Sequence, residues 1–489
     1  MGNIQILVPM IIYLIVMLGI AVYTNKIGQS STGKGGFIEE YFIGGRTMGG
    51  FVLAMTLIAT YSSASSFVGG PGVAYLRGLG WVFLAMIQVP TAFLTLGVLG
   101  KKFAIIGRKI NAVTVTDFLR ARYKSDIVVI LSSIAILAFF AATMVAQFIG
   151  GARLFQAVTG YSYVMGLVIF GIAVVIYTTV GGFRAVAITD AIQGVVMMLA
   201  TIFILFAVIK AGGGINQAIE TISTANPGSI EPTAGGAISK PFILSFWVLV
   251  GIGVLGLPQT TVRGMGFKDS KSLHNAMIIG TFVVGFLMLG MHLVGVFGQA
   301  VIPEGVESVD LVVPTLTVKV LHPILAGIFI AGPLAAIMST VDSMLILSAA
   351  AIVKDLFMHY SKSEMTEQKL KKMSFITTAI IGIIVFVFSI NPPDLIVWIN
   401  LFAFGGLQAA FLCPTIFGLY WKRANATGAI FSFIGGVGAY FYYTISKVKY
   451  IGMHQIVPTI AIAVILFIIG SYIGKKPDKE TLRLFYGEE

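Results

Sequence analysis

The sequence predicts an all-α integral membrane protein of about 13 transmembrane helices, built from two inverted five-helix repeats that each open on a broken helix. Three observations carry this. The 489 residues are 57% hydrophobic and only 11% charged, with a mean hydropathy of +0.95; a water-soluble core cannot use so much apolar material, so the solvent is lipid. Apolar windows of roughly 20 residues, the length a bilayer core requires, recur along the whole chain. Two of these windows, five apart, are interrupted by glycine and proline beside hydroxyl side chains.

The windows fall at 4–24, 48–75, 79–100, 127–150, 162–180, 185–209, 242–262, 273–300, 324–353, 373–390, 394–420, 427–446 and 455–474, and are numbered spans 1 to 13. Span 1 lacks a basic leader and a small-residue cleavage site, so it reads as a retained helix. Lys and Arg number 32 against 20 Asp and Glu, but no basic cluster interleaves with aromatics, which removes the nucleic-acid reading. Of those 32, 25 lie in the loops after the odd-numbered spans 1 to 11 and in the C-terminal tail. By the positive-inside rule the tail is cytoplasmic and the N-terminus outside. The richest loop, 101–124, is expected to be topogenic. The outer segments 210–241 and 301–323 are lids or connectors, with a short surface helix at VVPTLTVKVL.

Cys413 is the single cysteine and lies in an apolar run, so there is no disulfide framework. No P-loop is present, and none of His274, His292, His322, His359 and His454 pairs with another at metal-ligand spacing.

Span 2 contains ATYSSASSFVGGPG, residues 59–72: six hydroxyls in seven residues, then Gly69, Gly70, Pro71 and Gly72. Span 7 contains VGIGVLGLPQTT, residues 250–261, where Pro258 and three glycines again interrupt a helix. The repeats are therefore 48–209 and 242–420, with 1–24 and 427–474 peripheral, all within one transmembrane domain over 1–489. A five-span repeat necessarily inverts its copy. In hydrocarbon an unwound segment survives only where it lines a protein-buried or wet cavity. Its freed carbonyls can then hold a cation. In span 9, AGPLAAIMSTVDS places Gly332, Ala336, Ser339, Thr340 and Ser343 on one helix face. Carbonyls from span 2 and hydroxyls from this face would make a neutral oxygen cage for a hard monovalent cation. Neutral ligands do not titrate, so the cage favours sodium over a proton.

ATYSSASSFVGGPG, YTTVGGFRAVAITDAIQ at 177–193 and AAIMST at 335–340 resemble the sodium/solute symporter family, and the likeness runs along nearly the whole chain. Within that family GLGWVFLAMIQ, FIGGARL and FGGLQAAFL look most like the pantothenate-transporting branch. The resemblance implies a leucine-transporter-like fold, co-transported sodium, pantothenate as the small-molecule substrate, and alternating access in the cell membrane. No obligate protein partner and no enzymatic activity are implied. It places sodium on the carbonyls of Ala59, Ser62 and Ala336 and the hydroxyls of Ser339 and Thr340. It makes Asp190 a cation-coupling residue; Asp342, an additional acid in span 9 that departs from the family pattern, and Ser343 are further candidates for that role. An anchoring role for Asp190 is the alternative, and Asp342 either joins Asp190 in a second cation site or faces water at the inner end.

One departure from the proline-transporting members, Tyr61 in place of an aspartate, argues against proline. The substrate candidates are the polar groups facing the breaks: Ser63, Ser66, Gln88, Gln259, Thr260, Asn400 and Gln408. They suit an amide and two hydroxyls, but no basic residue lies deep in spans 2, 3, 7 or 11 to meet a carboxylate. Arg153, at the outer end of span 4, reads as an interfacial anchor. Helix N-termini or the bound sodium would supply the positive field instead. Another small carboxylate or proline is the alternative solute. A channel would need a symmetric polar pore and an enzyme a nucleophile, base or metal in mutual reach, and neither pattern is present.

Overall fold

The computed structural model describes residues 4–30, 46–361, 366–448 and 450–487. Apart from one isolated β-bridge, Met48 with Phe267, the regular structure there is helical. Among the described residues nine helices are long and apolar enough to cross a membrane, or ten if the bent pair Gly50–Tyr61 and Ser65–Arg77 is one span. Three shorter apolar helices, Ile4–Ile20, Tyr163–Ile176 and Lys240–Gly256, lie at spans 1, 5 and 7.

The contacts show the inversion directly. Spans 4 and 9 hold the same place in the two repeats, and they cross in opposite directions: Ile337 meets Gly150, while Leu347 shares a cavity wall with Ile136 and Phe140. Span 5 runs antiparallel to span 4, with Gly166 on Ala152 and Gly171 on Phe148. Span 6, Val186–Ala211, runs antiparallel to span 9, with Ala200 on Gly332.

The two interrupted helices differ in how they break. In span 2 the helix stops at Tyr61, Ser62 is extended at φ −71° and ψ 134°, and the chain resumes at Ser65 after a 72° bend. The break lies among the serines, not at Gly69–Gly72 as the sequence suggests. The helix runs unbroken through Pro71, which follows the π turn Ser65–Gly69 and so lies well inside the resumed segment Ser65–Arg77. The glycines serve close packing: a methyl on Gly72 would lie 2.2 Å from the Val309 carbonyl oxygen. The hydroxyls at the break are not spent on it: Ser62 Oγ and Ser63 Oγ are buried with no hydrogen-bond partner. Span 7 passes from Lys240–Phe246 through a π turn and a 3₁₀ turn. It is extended at Leu257, and Pro258 starts the helix Pro258–Arg263.

The helix expected at VVPTLTVKVL forms as Val312–Val320, but with Val312, Val313, Leu316 and Thr317 buried against the bundle and not on the surface; a second short helix, Ile215–Ala225, lies in the 210–241 segment. The basic 101–124 loop has a structural role as well. Thr114 and Asp117 form a capping box for Val115–Tyr123, and Arg122, 2% exposed, donates to the Gly418 carbonyl at 2.8 Å. Cys413 is a buried core residue, as its apolar setting predicts.

Candidate functional site

The span 2 break meets the small face of span 9. Ser339 donates its hydroxyl toward the Ala59 carbonyl at 2.8 Å and the Ala336 carbonyl at 3.2 Å. Thr340 donates toward the Ser62 carbonyl at 2.7 Å and Ala336 at 2.9 Å. Five neutral oxygens from Ala59, Ser62, Ala336, Ser339 and Thr340 are thus gathered in a buried cluster. This donor set has the hardness and neutrality that suit sodium. The break itself is held from span 4, where Gln147 Oε1 accepts the Ala64 N–H at 2.7 Å. Gln147 is absent from the sequence-derived candidates because a lone glutamine in an apolar helix carries no motif.

Beside this cluster lies a charge pair that the sequence reading missed. Arg263, counted above among the loop cations, is 1% exposed. Its guanidinium lies 3.5 Å from Asp190. It also donates to Thr60 Oγ1 at 3.0 and 2.7 Å and to the Ser343 hydroxyl. Asp190 further accepts from Thr56 at 2.6 Å. Asp342 is fully buried, so it does not face water at the inner end, and the Ser343 hydroxyl lies 3.5 Å from its Oδ1. The expectation of no deep basic residue is therefore corrected. Burial of Arg263 is possible because two side-chain hydroxyls and a carboxylate replace its hydration. The one legible signal was its position, five residues after Pro258, on the helix that restarts there.

On the other side of the break a cavity of about 30 Å³ is lined by Tyr61, Ser63, Ser66, Gln88, Asn400 and their neighbours. Tyr61 donates to Gln88 Oε1 at 2.8 Å. Ser63 Oγ and Asn400 Oδ1 are buried without a hydrogen-bond partner, as polar groups waiting for a ligand would be. Aromatic rings close the cavity, including Trp81, which packs edge-on against Trp398 and Phe246 at 5.6 and 5.7 Å. This volume is about that of one water, so a solute needs the walls to part.

Three substrate candidates do not reach this cavity. Gln408 donates to the Leu249 carbonyl at 2.7 Å, satisfying a group freed by the span 7 break. Thr260 bonds back to Leu257 at 3.0 Å. Gln259 is buried away from the cavity lining, with its amide unpartnered. Arg153 bonds Gln156 at 2.9 Å and stacks over Tyr163, outside the cavity. Among the described residues no His, Cys, Asp and Glu group of three could hold a metal ion.

A model of the sodium:solute symporter family matches residues 41–436. The chain is 48% identical over 482 residues to the sodium/pantothenate symporter of Escherichia coli K12, covering 98% of this chain and 99% of that one. The sodium/pantothenate symporter of Haemophilus influenzae is 49% identical over 481 residues, covering 98% of each. The osmoregulated proline transporter OpuE of Bacillus subtilis is 30% identical over 490 residues, covering 99% of this chain and 98% of that one. Among solved structures, a Na⁺-coupled sialic acid symporter in a substrate-bound, outward-open state superposes with a TM-score of 0.78 at 19% identity, covering 98% of this chain and 99% of that one.

Proposed function

Because the chain belongs to the sodium:solute symporter family, we propose that it uses the sodium gradient to import pantothenate by alternating access, in the plasma membrane with its N-terminus outside and C-terminus cytoplasmic. The observation that carries the sodium half is the five-oxygen cluster of Ala59, Ser62, Ala336, Ser339 and Thr340, assembled from span 2 and span 9. Two of its members flank Tyr61, whose ring lines the cavity on the other side. Ion and solute thus share one strand of broken backbone, and binding of one shapes the seat of the other.

Pantothenate is the solute because the relatives of nearly half identity, over nearly their full length, carry that name. The cavity chemistry supports it: Ser63, Ser66, Gln88 and Asn400 suit an amide and two hydroxyls. No Lys or Arg lines the cavity, so the carboxylate is met by the bound sodium. Asp190, Asp342, Ser343 and Arg263 link span 6, span 9 and the restarted helix of span 7 to Thr60, one residue from Ala59. This cluster positions the cage and couples it to the moving helices. The spans 48–209 and 242–420 form the two repeats that exchange positions.

Flux into proteoliposomes tests the reading. Labelled pantothenate accumulates above its outside concentration under an inward sodium gradient and only equilibrates without one. Accumulation driven equally by potassium or choline gradients overturns it.

A further inference from the structure

Span 8, Ser270–Val301, contributes one polar side chain to the cavity, and the sequence reading assigned it no role. His292 is 3% exposed and lines the cavity together with Ser66, Gln88 and Asn400. Its Nδ1 lies 2.7 Å from the Met288 carbonyl oxygen one turn back. A carbonyl only accepts, so that contact puts the proton on Nδ1 and leaves the Nε2 lone pair as an acceptor. No side chain or backbone group among the described residues bonds Nε2. The ring lies against span 2 just beyond the break, where a methyl on Gly70 would come within 2.5 Å of Nε2. The glycine therefore lets the ring edge pack against the span 2 backbone at the cavity wall, which both residues line.

We infer that His292 is a substrate-binding residue whose Nε2 accepts a hydrogen bond from a hydroxyl or amide N–H of the solute. This rests on the pantothenate reading and deepens it. The other polar groups of the cavity are less specific in what they ask of a solute. Serine hydroxyls and the Asn400 amide each donate as well as accept. Gln88 Oε1 already takes the Tyr61 hydroxyl proton. A neutral Nε2 can only accept. It selects a solute that brings a donor to this wall, and an analogue without that donor leaves a buried lone pair unpaired.

The test is competition against uptake of labelled pantothenate into proteoliposomes under an inward sodium gradient. The competitors are pantothenate, two analogues each lacking one hydroxyl, the N-methylated amide, and pantothenyl alcohol. His292→Phe is expected to weaken pantothenate about five- to tenfold. That penalty should fall to under about twofold for one of the three donor-lacking analogues, and persist for pantothenyl alcohol, which keeps every donor. His292→Gln, which returns an acceptor near the Nε2 position, recovers part of the loss and serves if the Phe variant does not fold. An equal penalty for every competitor overturns the inference. So does one that vanishes with pantothenyl alcohol, which would mean an imidazolium on the carboxylate. Wild-type protein that takes up pantothenate while both variants lose nothing sinks this inference alone, whereas wild-type protein that takes up none sinks the functional reading as well.

Discussion

Arg263 and Asp190 face each other 3.5 Å apart inside the helix bundle, with side chains 1% and 0% exposed. Neither charge has water to turn to, so each depends on the other and on the hydroxyls of Thr56, Thr60 and Ser343. Removing one partner strands the other, at a cost of about 3–5 kcal/mol, whereas neutralising both costs much less. Arg263→Gln and Asp190→Asn should each lower the thermal midpoint of the purified protein sharply, and the double variant should recover much of the loss. Additive losses in the double variant would show that the two side chains do not act as a pair.

The oxygen cage makes a separable prediction. Ser339→Ala or Thr340→Ala removes one neutral ligand without adding bulk. The sodium concentration for half-maximal uptake should rise several-fold, on the order of 1–2 kcal/mol for a lost buried polar contact, while protein level holds. Unchanged sodium dependence in both variants would mean that the ion binds elsewhere.

Recognition of the carboxylate through the ion predicts reciprocal coupling. Pantothenate affinity should fall sharply when choline replaces sodium, and pantothenyl alcohol should lose most of that dependence. Arg153→Gln, which alters the Gln156 contact and the Tyr163 stack outside the cavity, should matter less than removing sodium. An alcohol as sodium-dependent as the acid would sink this account of charge.

Orientation is tested by a reporter active only in the cytoplasm. It should work when fused after Glu489 and fail within 215–235, which includes the surface helix Ile215–Ala225. Signal from that insertion would reverse the proposed topology and the direction of transport with it.

Much of this fold is legible in the sequence because a membrane protein writes its helices as long apolar runs and its interruptions as glycine, proline and hydroxyl clusters. The span 9 half of the proposed cage was legible in the spacing, which puts Ser339 and Thr340 on a helix face with Ala336, whereas the carbonyls of Ala59 and Ser62 were singled out by the family resemblance. The exact point of the span 2 break was not legible. Gly69–Gly72 look like the weak point, but the helix runs through them behind the π turn Ser65–Gly69, and the chain leaves the helix at Ser62 instead, two residues before the Ala64 N–H that Gln147 holds from span 4. Arg263 was misread for a related reason. A basic residue at the end of an apolar window reads as a loop anchor, and only tertiary packing shows Thr60, Ser343 and Asp190 closing around it. Gln259, Thr260 and Gln408 have suitable chemistry beside the breaks, but two of them spend it on the backbone that the break exposed.

Span 8 lies along the whole of span 2 like a splint. At one end a methyl on Gly50 would strike Asn275, and at the other a methyl on Gly295 would lie 1.9 Å from the Pro71 carbonyl oxygen. Both halves of span 2 are thus strapped to one helix across the 72° bend. On the sodium site proposed above, an ion would join this pair to span 9 like a rivet between two plates, since the Ala59 and Ser62 carbonyls lie on one plate and the Ser339 and Thr340 hydroxyls on the other. Any slip of the plates would cost the ion two of its five oxygens, so ion release and passage opening would be one mechanical event.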